Sequence, residues 1–278
     1  MIWVGDRDLG SIVPGDEALV SVLDHGFTVA DGVFETLRVT DGQPFALTRH
    51  LERLARSAAA LGLEAPDEGV VRDAVGEVLF ASAPVIGGSG RLRITYTAGL
   101  SPLGSDRGHE PPTLVVAVAK SAPWPEATTI CTVPWVRNER SPIAGVKSTS
   151  YAENVVALRY AHDRGASEAV FANTRDELCE GTGTNVFVVT EGRVLTPPLA
   201  SGCLAGITRA LAIEWFGAIE ESLPYDALVH ADEVFLTSST RDVHPVIRVD
   251  ERVWADAGLV SGRLREEFIA RSAVDIDP

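Results

Sequence analysis

Lys147 is the side chain in this sequence best suited to attack a carbonyl. The chain holds 22 arginines but only two lysines, Lys120 and Lys147. A guanidinium stays protonated at ordinary pH and is a poor nucleophile, whereas a lysine amine can be desolvated, lose its proton and condense with an aldehyde. Lys147 lies in Ala144-Gly-Val-Lys-Ser-Thr-Ser-Tyr151, where an irregular stretch opens into a helix-like run. The plain alternative is a surface lysine left over in an arginine-biased composition. Four other segments carry groups that could work with it. Glu180-Gly-Thr-Gly-Thr-Asn-Val-Phe187 sets a carboxylate just before a hydroxyl-rich turn into an apolar strand. Leu204-Ala-Gly-Ile-Thr-Arg-Ala210 opens a helix with exposed amides and a threonine, which is a workable anion site. Thr237-Ser-Ser-Thr240 adds hydroxyls after a strand, and His50-Leu-Glu-Arg-Leu54 places Arg53 early on a helix. Taken singly, each has an ordinary reading as a loop glutamate, routine capping, a polar turn or a surface arginine.

The elements that must position these groups follow from periodicity. Residues 1–4 and 11–13 read as short strands, and 33–39 alternates apolar and polar before an Asp-Gly turn and a return strand at 44–47. Thr48 is the expected N-cap of a helix whose apolar positions are Leu51, Leu54, Ala55, Ala58 and Leu61, ended by Gly62. A helix over 68–81 and strands at 91–97 and 113–119 complete a small α/β lobe, 1–120. The prolines of 121–126 mark a linker. In the larger lobe, 127–278, helices are expected over 151–164, 206–217 and 259–271, and strands over 168–172, 185–189, 193–196, 233–238 and 246–249. The fold class is mixed α/β with two lobes.

Bulk properties narrow the function. A hydrophobic fraction of 45% supports a buried core, and no apolar run is long enough to span a bilayer. The net charge of −15 repels nucleic acid and anionic membrane, so an anionic small substrate needs a local arginine cluster. The three cysteines are widely spaced with no metal-type pairing, and Met1-Ile-Trp-Val-Gly-Asp-Arg7 is unlike a signal peptide. A reduced, cytoplasmic protein without a metal is expected.

Lysine, carboxylate and phosphate cup are the parts that a pyridoxal 5'-phosphate enzyme requires. In their order and spacing the segments resemble the class IV aminotransferase family, the fold-type IV pyridoxal phosphate enzymes. The resemblance runs from Asp24-His-Gly-Phe27 and Asp31-Gly-Val-Phe-Glu-Thr-Leu-Arg38, through His50–Leu54, Lys147–Asn154 and Glu180–Asn185, to Gly206-Ile-Thr-Arg209 and Leu236–Thr240. It implies a small α/β lobe, a larger barrel-like lobe and a homodimer. It implies that Lys147 forms the imine with the cofactor and shuttles the substrate proton, that Glu180 pairs with the ring nitrogen, and that Tyr151, one helical turn beyond Lys147, donates toward the ring oxygen. Arg53, Ile207, Thr208, Ser239 and Thr240 would hold the phosphate. Phe34, Thr36 and Arg38 share one strand face and would line the substrate site. Arg93, Arg107 and Arg241 are further candidates for binding an anionic substrate.

Within the family, the loop 97–109 lacks the Arg-x-His arrangement of D-amino acid aminotransferases near Ser101-Pro102, and branched-chain members tend to be longer. The resemblance therefore implies an aminodeoxychorismate lyase, releasing pyruvate and 4-aminobenzoate from 4-amino-4-deoxychorismate. The alternatives are aminotransfer from D-amino acids or branched-chain L-amino acids, and a catalytically dead binding protein, against which the intact Lys147 and Glu180 argue.

Overall fold

The computed structural model describes residues 1–6 and 9–278. They form two compact units, one of Met1–Ala122, Val146–Ser150 and Ile276–Pro278, the other of Pro123–Gly145 and Tyr151–Asp275. Residues 146–150 and 276–278, placed in the second lobe on sequence, belong instead to the first unit.

In the first unit β1 (Ile2–Gly5), β2 (Gly10–Val13), β3 (Gly32–Thr40), β4 (Gln43–Pro44), β5 (Ser89–Thr97) and β6 (Thr113–Lys120) form a six-stranded sheet in the order β2-β1-β6-β5-β3-β4. Every pairing is antiparallel. Alternation decides which face is covered. Val33, Leu37, Leu92, Ile94, Leu114 and Val116 point into one core. At about 1.5–3 kcal/mol per fully buried aliphatic side chain, a one-residue slip of β3 would turn Val33, Leu37 and Val39 out of that core. The short α1 (His25–Thr28) is capped by Asp24, whose carboxylate accepts from Gly26 N at 2.8 Å. Helices α2 (Leu47–Ala60) and α3 (Glu68–Ile86) cover the apolar face of the sheet with Leu51, Leu54, Val71, Val75 and Val78.

Two helix ends differ from expectation. Thr48 is not the N-cap of α2; Ala46 occupies that position with φ 55° and no side-chain cap. The end is closed from the far terminus of the chain, where the Asp277 carboxylate accepts from Thr48 N at 2.9 Å and from its hydroxyl at 2.5 Å. A full negative charge suits a helix N-terminus better than a hydroxyl does. Helix α3 runs on to Ile86, beyond the expected 81, because Ile86 is itself buried in the core.

The second unit has α4 (Ala152–His162), α5 (Ile207–Phe216), α6 (Ala227–His230) and α7 (Leu259–Val274). Its strands are β7 (Thr128–Arg137), β8 (Glu168–Asn173), β9 (Leu178–Gly181), β10 (Asn185–Thr190), β11 (Arg193–Thr196), β12 (Ile219–Glu220), β13 (Glu233–Ser238), β14 (Asp242–Val249) and β15 (Arg252–Val253). The sheet runs β12-β11-β10-β13-β14-β7-β8-β9, with β15 paired to β14. It is mixed, parallel at β11/β12, β14/β7 and β7/β8. The edge strand β9 returns beside β10, so the sheet curls on itself. β7 was not expected from sequence, because Pro134 interrupts it. The register against β8 shifts between Thr132 and Val136, and that bulge accommodates a residue with no N–H to give the ladder. No helix among the described residues is long and apolar enough to cross a membrane.

Candidate functional site

The first unit brings Lys147 to the uncovered face of its sheet. Residues 147–149 lie extended against the start of β3: Phe34 N donates to Lys147 O at 3.0 Å, Thr149 N donates to Gly32 O at 2.8 Å, and Val33 pairs with Ser148. The helical turn expected to join Lys147 to Tyr151 is therefore absent, and α4 begins only at Ala152. Main-chain pairing fixes the lysine's position. Its Nζ stands 4.4 Å from the centre of the Phe34 ring, and the Arg93 guanidinium stands 3.9 Å from the same ring. Register explains the meeting, since Phe34 opposes Thr95, Thr36 opposes Arg93 and Arg38 opposes Arg91. Phe34, Thr36, Arg38 and Arg93 thus share one face, as alternation implied. A cation over an aromatic face contributes about 0.5–2 kcal/mol.

On the covered face lies a group that sequence reading missed. Glu35 is fully buried and accepts from Arg53 Nε at 2.8 Å and Nη2 at 2.7 Å, with His50 Nδ1 at 2.6 Å. Burial pushes the Glu35 carboxyl up, but the Arg53 and His50 contacts outweigh it and hold it well below the usual carboxylate range. Burial likewise holds His50 below its ordinary value against the pull of Glu35, so the imidazole is neutral and donates its Nδ1–H. Arg53, expected at the phosphate, thus has its Nε and Nη2 fixed by Glu35. The available signal was a carboxylate at an inward position between Val33 and Leu37.

Arg107 is bound into the framework. It meets Asp31 through Nε at 2.7 Å and Nη2 at 2.6 Å, and it donates to the carbonyls of Leu61 at 2.8 Å and Gly62 at 3.1 Å beyond the end of α2. His25 completes the strap, with Nδ1 2.9 Å from Asp31 and Nε2 3.0 Å from Gly104 O. The loop between β5 and β6 is therefore tied down at two points. Burial pushes the Asp31 carboxyl up, but the Arg107 and His25 hydrogen bonds prevail and lower it below its ordinary 3.8. The Asp31 hydrogen bond raises His25 above its ordinary 6.5. The sign of each shift defines a window. The Asp31 contribution is complete above about 3.8 and is lost as pH falls through its lowered value; the His25 contribution is complete below about 6.5 and is lost as pH rises through its raised value. Asp31→Asn is expected to speed proteolytic cleavage within 100–110 by about tenfold at pH 6, the scale of lost hydrogen bonds to a charged group. An unchanged cleavage rate would show that the strap does not hold the loop.

The second unit holds Glu180, the start of α5 and the turn at 239–240. Glu180, near the end of β9, accepts from Leu204 N at 2.8 Å and lies 3.4 Å from Arg137 Nε. Arg137 also donates to Asn154 Oδ1 at 2.6 Å and stacks 4.3 Å over Phe171. Asn154 in turn donates to Thr182 O at 2.9 Å. Buried Glu168 anchors the turn that follows Glu180, accepting from Thr182 N at 3.0 Å, from the Thr182 hydroxyl and from Thr184 Oγ1 at 3.3 Å. Burial raises the Tyr151 phenol, and the Glu180 charge raises it further, so the phenol stays protonated and able to donate. Arg137 and Glu168 were not expected from sequence.

Helix α5 starts at Gly206, which supplies no side-chain cap, and Ile207 and Thr208 are buried in its first turn. A Cβ at Gly206 would collide with Asn185 Oδ1, which explains the glycine there. Ser239 and Thr240 form the turn between β13 and β14. Arg241 is packed 3.7 Å over Trp124 and donates to Ser167 Oγ at 3.2 Å and Ser167 O at 3.0 Å, a structural setting like that of Arg107. The three cysteines are buried and free, and the described residues contain no metal-binding cluster.

The amino-transferase class IV family model matches residues 32–249. The chain is 32% identical over 272 residues to a provisionally named branched-chain-amino-acid aminotransferase of Methanocaldococcus jannaschii, covering 93% of both chains. It is 31% identical over 283 residues to a D-alanine aminotransferase of Staphylococcus haemolyticus, covering 93% of this chain and 94% of that one. A crystal structure of a provisional 4-amino-4-deoxychorismate lyase from Legionella pneumophila superposes with a TM-score of 0.83 at 26% identity, over 92% of this chain and 96% of the other. With the family model spanning most of the sequence and the two-unit mixed α/β fold agreeing, this chain is an enzyme of the class IV aminotransferase family.

Proposed function

We propose that this protein is a pyridoxal 5'-phosphate enzyme that moves the amino group of an amino acid to a 2-oxo acid. The observation that carries this reading is the placement of Lys147 and Arg93 on the ring of Phe34. It sets the chain's candidate nucleophile beside an arginine suited to a carboxylate. Class IV aminotransferases depend on this cofactor, and the residues present fit it. The first turn of α5 lacks a side-chain cap, Thr208 and the Ser239-Thr240 turn add hydroxyls, and Glu180 offers a carboxylate held by Leu204 N and Arg137.

Bound pyridoxal phosphate supplies an aldehyde that condenses with amines and a ring that withdraws electrons from the adjoining carbon. Glu180 holds the ring nitrogen in its protonated form. Tyr151 donates toward the ring oxygen. Arg53, the Ile207 and Thr208 amides, Ser239 and Thr240 grip the phosphate. Lys147 accepts the proton from the amino-bearing carbon of the substrate and returns it. Phe34 and Thr36 line the substrate side, and Arg38 and Arg93 orient its carboxylate. We assign Arg107 and Arg241 framework roles instead.

A second reading is the lyase reaction on 4-amino-4-deoxychorismate. It is favoured by Arg38 and Arg93 sharing one strand-register face, since that substrate carries two carboxylates. We also propose a homodimer. Leu19, Val22, Phe27 and Leu103 of the first unit are 81%, 72%, 75% and 80% exposed, an apolar series that a second copy would cover.

One assay series separates the readings. The purified protein should be yellow, with an absorption band that borohydride removes. It should convert D-alanine or L-leucine only when 2-oxoglutarate is supplied. Pyruvate release from 4-amino-4-deoxychorismate without an acceptor would establish the lyase. A colourless protein that cannot be reconstituted would sink both.

A further inference from the structure

Thr237 is 1% exposed, and its hydroxyl is buried with no hydrogen-bond partner among the described residues. Such a group is costly to keep, so its surroundings call for explanation. Thr237 lies directly opposite Asn185 across the β10–β13 pairing, so their side chains occupy the same face of the sheet. Helix α5 packs on β13. The Asn185 side chain reaches the chain just before that helix, donating to Leu204 O at 2.8 Å, with its Oδ1 against Gly206. The Thr237 hydroxyl therefore stands on the sheet face beneath the first turn of α5, whose opening amides have no side-chain cap. Amides that can only donate and a hydroxyl free to donate suit one class of occupant, an anion with several oxygens such as a phosphate monoester.

We propose that Thr237 Oγ1 donates a hydrogen bond to the anion held at the N-terminus of α5. This inference rests on the reading that pyridoxal phosphate binds there, and it adds a ligand from within the strand to those of the turn at 239–240.

The test uses cofactor-free wild-type protein, Thr237→Val and Thr237→Ser. Each is titrated with pyridoxal 5'-phosphate, inorganic phosphate and pyridoxal, and each is melted without ligand. Thr237→Val should bind pyridoxal 5'-phosphate and inorganic phosphate about tenfold more weakly, with pyridoxal affinity unchanged. Thr237→Ser should restore binding. Without ligand the valine protein should melt at or above the wild-type temperature, because a methyl replaces an unsatisfied hydroxyl. Equal phosphate affinity in wild type and Thr237→Val would overturn the inference alone. So would a lowered melting temperature in the ligand-free valine protein, which would give the hydroxyl a structural partner. A wild-type protein that binds neither phosphate nor cofactor would overturn the pyridoxal phosphate reading together with this one.

Discussion

Lys147→Ala is expected to lose turnover by roughly a thousandfold or more, because under the proposed function one amine would both capture the cofactor and act as the acid–base that moves the substrate proton. Borohydride should no longer attach pyridoxal phosphate to the chain. The fold should be little affected, since residues 147–149 are held by their main chain against β3. Separating these effects needs steady-state rates, mass spectrometry after reduction, and a melting curve. A small added amine should recover part of the proton transfer. An alanine protein with activity within about tenfold of wild type would remove Lys147 from the chemistry.

Glu35→Gln should produce the largest loss of stability. It leaves the Arg53 guanidinium, 5% exposed, without its counter-charge. Breaking one side of a buried ion pair costs about 3–5 kcal/mol, a large share of the stability of an ordinary domain. Denaturant unfolding at pH 7 measures it. Since Glu35 is held below its ordinary carboxylate value, its contribution is complete above about 4.5 and disappears as pH falls through the lowered value, so wild type and variant should converge in acid. Replacing both partners by apolar residues, Glu35→Leu with Arg53→Met, should recover much of the loss in cofactor-free protein. A single variant as stable as wild type would show that the buried triad contributes nothing net.

The legibility of this molecule in its sequence depended on distance along the chain. Alternation over 33–39 placed Phe34, Thr36 and Arg38 on one face, because period two is a local property. Motif spacing brought Lys147, Glu180 and the start of α5 into one family. The partners that hold those groups are set by tertiary pairing and leave no local trace. Arg107 finds Asp31 across 76 positions, and Arg53 finds Glu35 across 18. An arginine read alone looks equally suited to substrate and to framework, and only tertiary contacts place Arg107 on Asp31 and Arg241 on Ser167. β7 was hidden by Pro134, which only the bulge against β8 makes tolerable. The start of α2 is not legible at Thr48 because the carboxylate that closes it, Asp277, lies 229 positions away.

That last arrangement bears on biosynthesis. The amino-terminal unit takes its final pieces from Val146–Ser150 and Ile276–Pro278. It cannot be finished until residues 276–278 have been made, so the earlier-made unit waits, incomplete, for segments far along the chain. A chain cut short before Ile276 would leave the start of α2 without the Asp277 contacts to Thr48.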